Sequence, residues 1–196
     1  NEPANITSMW LEPFENYCNF YAHVAKRIKA ACPDIKIGGP GGAVGGEQRE
    51  LFLNVLKRES APLDFYSEHI YFSNPAPLSG FLDFHEENNL PKNTELHINE
   101  WHYVFPGQFL RYRHMERNQN VYTDLQKGIH GANSAAAAAY ALILFQDLPI
   151  DMANYYMATG PWGLIAEVIP RIHMPVAEYN AFLFYAEMLN YPYLVE

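Results

Sequence analysis

Apolar residues recur at steps of three and four between Phe14 and Ala31, which is the spacing of one face of an amphipathic helix. Pro13 suits the first turn of this helix and Pro33 stops it. Similar patterns predict four further helices, over residues 47–59, 81–88, 122–147 and 176–189.

Short runs rich in aromatic and β-branched residues separate these helices. They predict four strands, over residues 35–37, 63–72, 95–103 and 152–157. Strict alternation of helix and strand implies parallel strands joined by right-handed crossovers, so the predicted fold class is α/β. A (β/α)8 barrel needs eight strands and about 250 residues, so the pattern corresponds to half a barrel. Half a barrel leaves two sheet edges open and should be unstable alone.

The composition is that of a globular protein forming one domain over residues 1–196. Hydrophobic residues make up 49% of the chain and charged residues 18%. A net charge of −9 leaves no basic stripe for phosphates, which argues against nucleic acid as a partner. The longest apolar run, residues 135–145, is about half of a membrane span, so no transmembrane helix and no membrane partner are predicted.

The two cysteines, Cys18 and Cys32, fall 14 residues apart in the first predicted helix. At about 1.5 Å of rise per residue they are too far apart for a disulfide, so we expect two free thiols, both buried or partly buried.

Two glutamates stand out because each ends a predicted strand or begins a loop. Glu2 lies in Asn1-Glu2-Pro3, and Glu100 lies in an apolar strand beside Trp101. Two glutamates brought together by a closed sheet are what retaining glycoside hydrolysis needs, one as acid/base and one as nucleophile. Glu2 could also be an exposed terminal acid. Glu100 is harder to explain that way, since an ionisable group in an apolar strand must face a partner or a cleft.

Other reaction classes lack their motifs. The glycine-rich stretch at residues 38–42 matches neither of the phosphate-binding patterns G-x-x-x-x-G-K-[ST] and G-x-G-x-x-G. We therefore expect it to be a flexible strand-to-helix loop. His97, Glu100 and His102 superficially resemble a zinc motif but fit neither H-E-x-x-H nor H-x-x-E-H, so no metal and no cofactor are predicted. The chain has no G-x-S-x-G elbow for a serine hydrolase.

Four motifs occur in the order seen in clan A glycoside hydrolases: Asn1-Glu2-Pro3, residues 37–40, residues 64–71 and residues 98–101. The combination most resembles glycoside hydrolase family 39, whose members include β-xylosidases. The resemblance covers most of the chain. It implies a (β/α)8 TIM-barrel fold of which about strands five to eight, with helix four, are encoded here.

The resemblance also implies roles for individual residues. Glu2 matches the general acid/base, Asn1 the residue that hydrogen-bonds the sugar 2-hydroxyl, and Glu100 the nucleophile. His69 and Tyr71 match substrate-facing positions, and the tyrosine there usually orients the nucleophile. The roles of two tryptophans stay open. Trp101 either forms the floor of the cleft or packs beneath it. Trp162, in an atypical sequence context, either forms the floor of the sugar site or does not.

The sequence therefore predicts a retaining glycosidase acting on a β-linked, β-xyloside-like carbohydrate. The alternative is a non-catalytic carbohydrate-binding or assembly subunit on a barrel scaffold. We expect an N-terminal half-barrel or self-association to complete the sheet. The sequence assigns no location; the resemblance is compatible with secretion or a periplasmic site. Specificity is expected in the insertion at residues 105–120, which is equally plausible as an ordinary loop.

Overall fold

The computed structural model describes residues 2–4, 9–42, 44–74, 76–104, 127–169 and 171–191. The described helices are α1 (Phe14–Ala31), α2 (Gly46–Glu59), α3 (Phe84–Glu87), α4 (Ala132–Leu144) and α5 (Ala177–Glu187), with 3-10 turns at Ala76–Phe81 and Met188–Asn190. The described strands are β1 (Gly38–Pro40), β2 (Phe65–Phe72), β3 (Glu95–Tyr103), β4 (Met152–Tyr155), β5 (Ile165–Ile169) and β6 (Ile172–Pro175).

One sheet has the strand order β1-β2-β3-β4, and the other is the pair β5-β6. β1 and β2 are parallel, with Gly38 opposite Phe65. The backbone bonds of β3 and β4 follow the same pattern, since Glu95 N donates to Asp64 O and Asp151 N donates to Leu96 O. The described sheet is thus the parallel α/β sheet that the sequence predicts.

Helix α1 begins and ends where the sequence predicts. Pro13 precedes its first residue, and Cys32 follows its last one. Its buried face carries Cys18, Tyr21 and Ala25. The apolar periodicity therefore located this helix to the residue because proline marks both of its ends.

Contacts divide the chain into two compact units. The first comprises Asn1–Ile70, Gly80–Glu100 and Pro149–Asn154, and the second comprises Tyr71–Ser79, Trp101–Leu148 and Tyr155–Glu196. The core of the first unit is built from α1, α2 and β2, with Tyr21 packed edge-to-face on the fully buried Phe52 at 5.0 Å. In the second unit, α4 packs against α5.

The first strand is shifted relative to the prediction. Residues 35–37 lie before the ladder, and pairing begins at Gly38. Ile37 is instead held by Asp64, whose side chain accepts from the Ile37 N–H at 2.8 Å. A Cβ added at Gly38 would lie 2.2 Å from Phe65, so only glycine allows the two strands to come this close.

The long helix predicted over residues 122–147 is also different. Residues 121–126 lie outside the described part, and α4 begins only at Ala132. Gly131 is extended and caps the helix, and a Cβ there would meet Lys127 O at 2.7 Å. The antiparallel hairpin β5-β6 was not predicted at all; its strands pair Ile165 with Pro175.

The cysteines are free, as predicted, but the expected burial holds for Cys18 and is wrong for Cys32, which follows the end of the helix. Cys18 is fully buried in α1 and Cys32 is exposed at its end. Burial raises the pKa of the Cys18 thiol to about 11. Among the helices that the structure describes, none has the length and apolar character of a membrane span.

We predict that iodoacetamide at pH 8 alkylates Cys32 at least about 100-fold faster than Cys18, because the thiolate is the nucleophile and Cys18 is both buried and protonated. Mass spectrometry of the two peptides over time measures the rates. Addition of denaturant should remove the difference. Equal rates in the folded protein would contradict the burial of Cys18.

Candidate active site

The backbone of Glu2 is held by the glycine-rich loop that follows β1. Its N–H donates to the carbonyl of Gly41 at 2.7 Å, and its φ of 44° lies in the left-handed region. Gly42 packs directly against it, since a Cβ added to Gly42 would lie 2.5 Å from Glu2 Cα. The loop expected to be a flexible connection is therefore a close-fitting support for Glu2.

His69 on β2 lies between the two predicted catalytic carboxylates. Its Nδ1 is 3.0 Å from Oε1 of Glu2 and 3.2 Å from Oε2 of Glu100. The His69 side chain is fully buried, whereas those of Glu2 and Glu100 are 25% and 21% exposed. The opposite ring nitrogen, Nε2, has no hydrogen-bond partner among the described residues. This favours the tautomer with the proton on Nδ1, because a buried N–H without an acceptor is costly.

One oxygen from each carboxylate and Nδ1 of His69 all lie within 4.8 Å of one another. Retaining glycosidases hold their carboxyl groups about 5–5.5 Å apart, and inverting enzymes about 6.5–9.5 Å apart. The pair of glutamates thus has the closer of the two spacings. The same three side chains could also hold a small cation, since each offers one ligand atom.

The residue before His69 anchors β2 from the other side. Glu68 is buried and accepts hydrogen bonds from Tyr66 Oη at 2.8 Å and Arg49 at 3.2 Å. Burial raises the pKa of Glu68, and the bonds from Tyr66 and Arg49 oppose that rise. Burial likewise raises the pKa of Tyr66. This network fixes the strand that carries His69.

In the second unit, Tyr71 and Trp162 come together. Their rings are perpendicular, with centroids 6.1 Å apart, and Tyr156 packs on Trp162 at 6.5 Å. Both Tyr71 and Trp162 are partly exposed. Tyr71 and Trp162, both predicted to bind sugar, thus form a shared aromatic surface. Tyr156 is also part of this surface, and the sequence did not predict it.

Trp101 does not line a cleft. It is fully buried and packs between Phe72, Phe145 and Tyr155. Of the two alternatives that the sequence leaves open, the full burial of the ring favours packing within the second unit over a place on the cleft floor. The reason is alternation along β3, which turns neighbouring side chains to opposite faces and leaves Glu100 partly exposed.

The resemblance places His69 at a substrate-facing position; its ring is fully buried and contacts both carboxylates, and its contact with substrate stays a prediction. Asn1 lies outside the described residues, as does the insertion at residues 105–120. The supporting role of Gly41 and Gly42 was missed. Its only sequence signal was the density of glycine after a strand, which also fits an ordinary loop.

Similarity to known proteins was found at the level of sequence. The family described as glycosyl hydrolases family 39 matches residues 1–159. A beta-xylosidase of Caldicellulosiruptor saccharolyticus is 23% identical over 164 residues, covering 81% of this chain and 32% of the relative. A beta-xylosidase of Geobacillus stearothermophilus is 29% identical over 93 residues, covering 46% of this chain and 18% of the relative. The chain thus spans a third or less of these relatives.

Solved structures resemble the fold. A GH39 beta-xylosidase from Caulobacter crescentus matches 95% of this chain and 40% of its own, with a TM-score of 0.65 and 19% identity. A family 51 alpha-L-arabinofuranosidase from Bifidobacterium longum matches 95% of this chain and 44% of its own, with a TM-score of 0.68 and 16% identity. The parallel sheet β1–β4 is part of a (β/α)8 barrel of the kind found in these glycosidases. Since the family match covers most of the sequence, the chain belongs to glycosyl hydrolase family 39.

Proposed function

We propose that the protein containing this chain hydrolyses a β-linked glycoside with retention of configuration. The observation that carries the proposal is the cluster of Glu2, His69 and Glu100, in which the two carboxylates approach within 4.8 Å. This spacing suits a double displacement and leaves no room for the water that an inverting enzyme places between its carboxylates. A β-xyloside is the favoured substrate because both curated relatives are beta-xylosidases.

In the first step, the carboxylate of Glu100 attacks the anomeric carbon while protonated Glu2 gives its proton to the leaving oxygen. The glycosidic bond breaks and a glycosyl ester forms on Glu100. In the second step, Glu2 takes a proton from water, the water oxygen attacks the anomeric carbon, and Glu100 leaves as a carboxylate. These steps need no metal and no cofactor.

His69 has a role in both steps. Its single Nδ1–H faces both carboxylates, at 3.0 and 3.2 Å. Before reaction, the negative charge is on Glu100; in the ester intermediate, it is on Glu2. The same N–H can donate to whichever oxygen carries the charge, so the histidine stabilises both states without moving.

Tyr71 and Trp162 are proposed to contact the sugar. Both are partly exposed, and their perpendicular rings offer an apolar surface for the C–H face of a pyranose. Asn1, which matches the residue bonding the 2-hydroxyl, remains a proposal from the resemblance alone. A non-catalytic binding subunit is the alternative, but it does not account for two carboxylates kept this close.

We predict that Glu100→Ala lowers kcat on an aryl β-xyloside by about 10⁴-fold or more, because the nucleophile is lost. Azide should restore turnover and give a glycosyl azide of inverted configuration. Glu2→Ala with an activated aryl substrate should instead give the azide of retained configuration. Product analysis by NMR distinguishes the two. Glu95→Ala, on the same strand as Glu100, is the matched control. Full activity of Glu100→Ala would remove Glu100 from the mechanism.

We predict that Gly42→Ala lowers kcat/KM by about tenfold or more, because the new methyl group would displace the Glu2 backbone from its present position. Gly46→Ala is the matched control, since a Cβ there meets nothing within 4 Å. Steady-state kinetics and thermal unfolding of both variants make the comparison. Equal kcat/KM in the two variants would show that Gly42 does not position the acid/base.

We propose that polypeptide outside this chain supplies the other strands of the barrel. In the described sheet, β1 and β4 lie at the two edges. Apolar side chains on α5 are exposed, among them Leu183 at 44% and Phe184 at 72%. Open strand edges and exposed apolar surface are features that a further half-barrel would cover.

We predict that residues 1–196 expressed alone associate or aggregate and show little activity, because these surfaces stay uncovered. Size-exclusion chromatography with light scattering measures the mass, and a defined dimer would point to a second copy as the occupant. A stable, active monomer of 22.5 kDa would contradict the proposal.

A further inference from the structure

A buried polar cluster lies in the second unit, and the proposed mechanism uses none of it. Glu178, in the first turn of α5, has a fully buried side chain. Its Oε1 accepts a hydrogen bond from Ser134 on α4 at 2.5 Å. His130, just before α4, places Nδ1 3.5 Å from the same oxygen. A buried carboxylate needs such partners, since an isolated one is costly.

The cluster reaches the loop that carries Trp162. Nε2–H of His130 donates to the carbonyl of Pro161 at 2.9 Å. Nε2 of the buried His102 lies 3.0 Å from the carbonyl of Trp162 itself. Two histidines from different elements therefore contact two consecutive carbonyls, which fixes the peptide units on both sides of the Trp162 Cα.

The turn from Gly160 to Gly163, which carries Trp162, is held by its own backbone contacts. Gly160 has a φ of 108°, and the N–H of Gly163 donates back to the Gly160 carbonyl at 2.9 Å. A Cβ added to Gly163 would lie 2.5 Å from the Thr159 backbone. The turn is therefore closed on itself, and the contacts from the histidines determine where its backbone is anchored.

The His130 ring is held by its bond to Pro161. When Nε2 donates to Pro161, Nδ1 lies on the other side of the ring, 3.5 Å from Oε1 of Glu178. Among the described residues, Nδ1 of His130 and Oε2 of Glu178 have no hydrogen-bond partner. The bond to the Pro161 carbonyl is thus the directional contact that the described residues offer this ring.

We propose that His130, through its hydrogen bond to the Pro161 carbonyl, is a positioning residue that sets the Trp162 ring for sugar binding. The inference rests on the proposed function, in which Trp162 contacts the sugar. His130 bonds the carbonyl of the residue before Trp162, and no step of the proposed mechanism uses it. Its loss should therefore weaken substrate binding and leave the chemical step nearly unchanged.

Two amide variants of the full-length protein test this. Gln places its N–H₂ near the position of His Nε2 and can still donate to Pro161, whereas the shorter Asn cannot reach it. We expect H130N to raise KM for an aryl β-xyloside about threefold to tenfold, the effect of one lost hydrogen bond, with kcat changed less than about twofold. H130Q should keep KM near that of the wild type. His23→Asn, exposed on α1, is the control.

A second comparison asks whether His130 acts through Trp162. In a Trp162→Ala background, H130N should change KM by less than about twofold, because the ring that it positions is gone. The same rise of KM in both backgrounds would overturn the proposal, as would equal KM values for H130N and H130Q.

The test also separates this inference from the proposed function. In protein labelled with fluorotryptophan, the ¹⁹F resonance of Trp162, assigned with Trp162→Phe, should shift in H130N and stay in place in H130Q. This readout needs no turnover. A shifted resonance in a protein that hydrolyses no glycoside would leave the positioning role standing and refute the glycosidase, whereas an unmoved resonance in an active enzyme would refute the positioning role alone.

Discussion

The contact of one histidine proton with two carboxylates is the constraint on which the candidate site depends. Two carboxylates with oxygens within 4.8 Å of each other repel by roughly 3 kcal/mol or more at an effective dielectric constant near 20. Glu2 and Glu100 can stay this close only if one of them is protonated or a donor lies between them. Nδ1 of His69 lies within 3.2 Å of both, so the arrangement can be formed before substrate arrives.

This constraint requires the groups around the site to be held in place by their own contacts. A shared proton donor works only if its ring and both acceptors are fixed to a few tenths of an ångström. The ion pair of Glu68 with Arg49 on α2 holds β2 on the side away from the site. The loop at Gly41 holds Glu2, and its own N–H donates to Ser67 on β2 at 3.3 Å. Glu2, through Gly41, and His69 are therefore both attached to β2.

Sequence reasoning predicted the parts that depend on local pattern. Helix α1 was located to the residue because its apolar period and flanking prolines agree. Glu2 and Glu100 were predicted to come together because parallel strands place their carboxyl ends at one edge, and the structure brings them within 4.8 Å. What it could not predict depends on distances between segments remote in sequence. Gly42 and Glu2 are 40 residues apart in the sequence, and neither segment alone indicates that they are in contact.

Trp101 and Trp162 show where a sequence pattern stops being informative. Trp101 lies in a predicted strand and Trp162 follows one, and each is a large ring suited to a sugar, so composition treats them alike. Burial separates them, because Trp101 is packed on all sides while Trp162 stays partly exposed on a loop. A residue within a strand inherits its direction from the pleat, but a residue in a loop is directed by whatever holds the loop. For the Trp162 loop those contacts come from His102 and His130, which precede Trp162 by 60 and 32 residues. The direction of a binding residue on a loop is thus encoded outside its own motif.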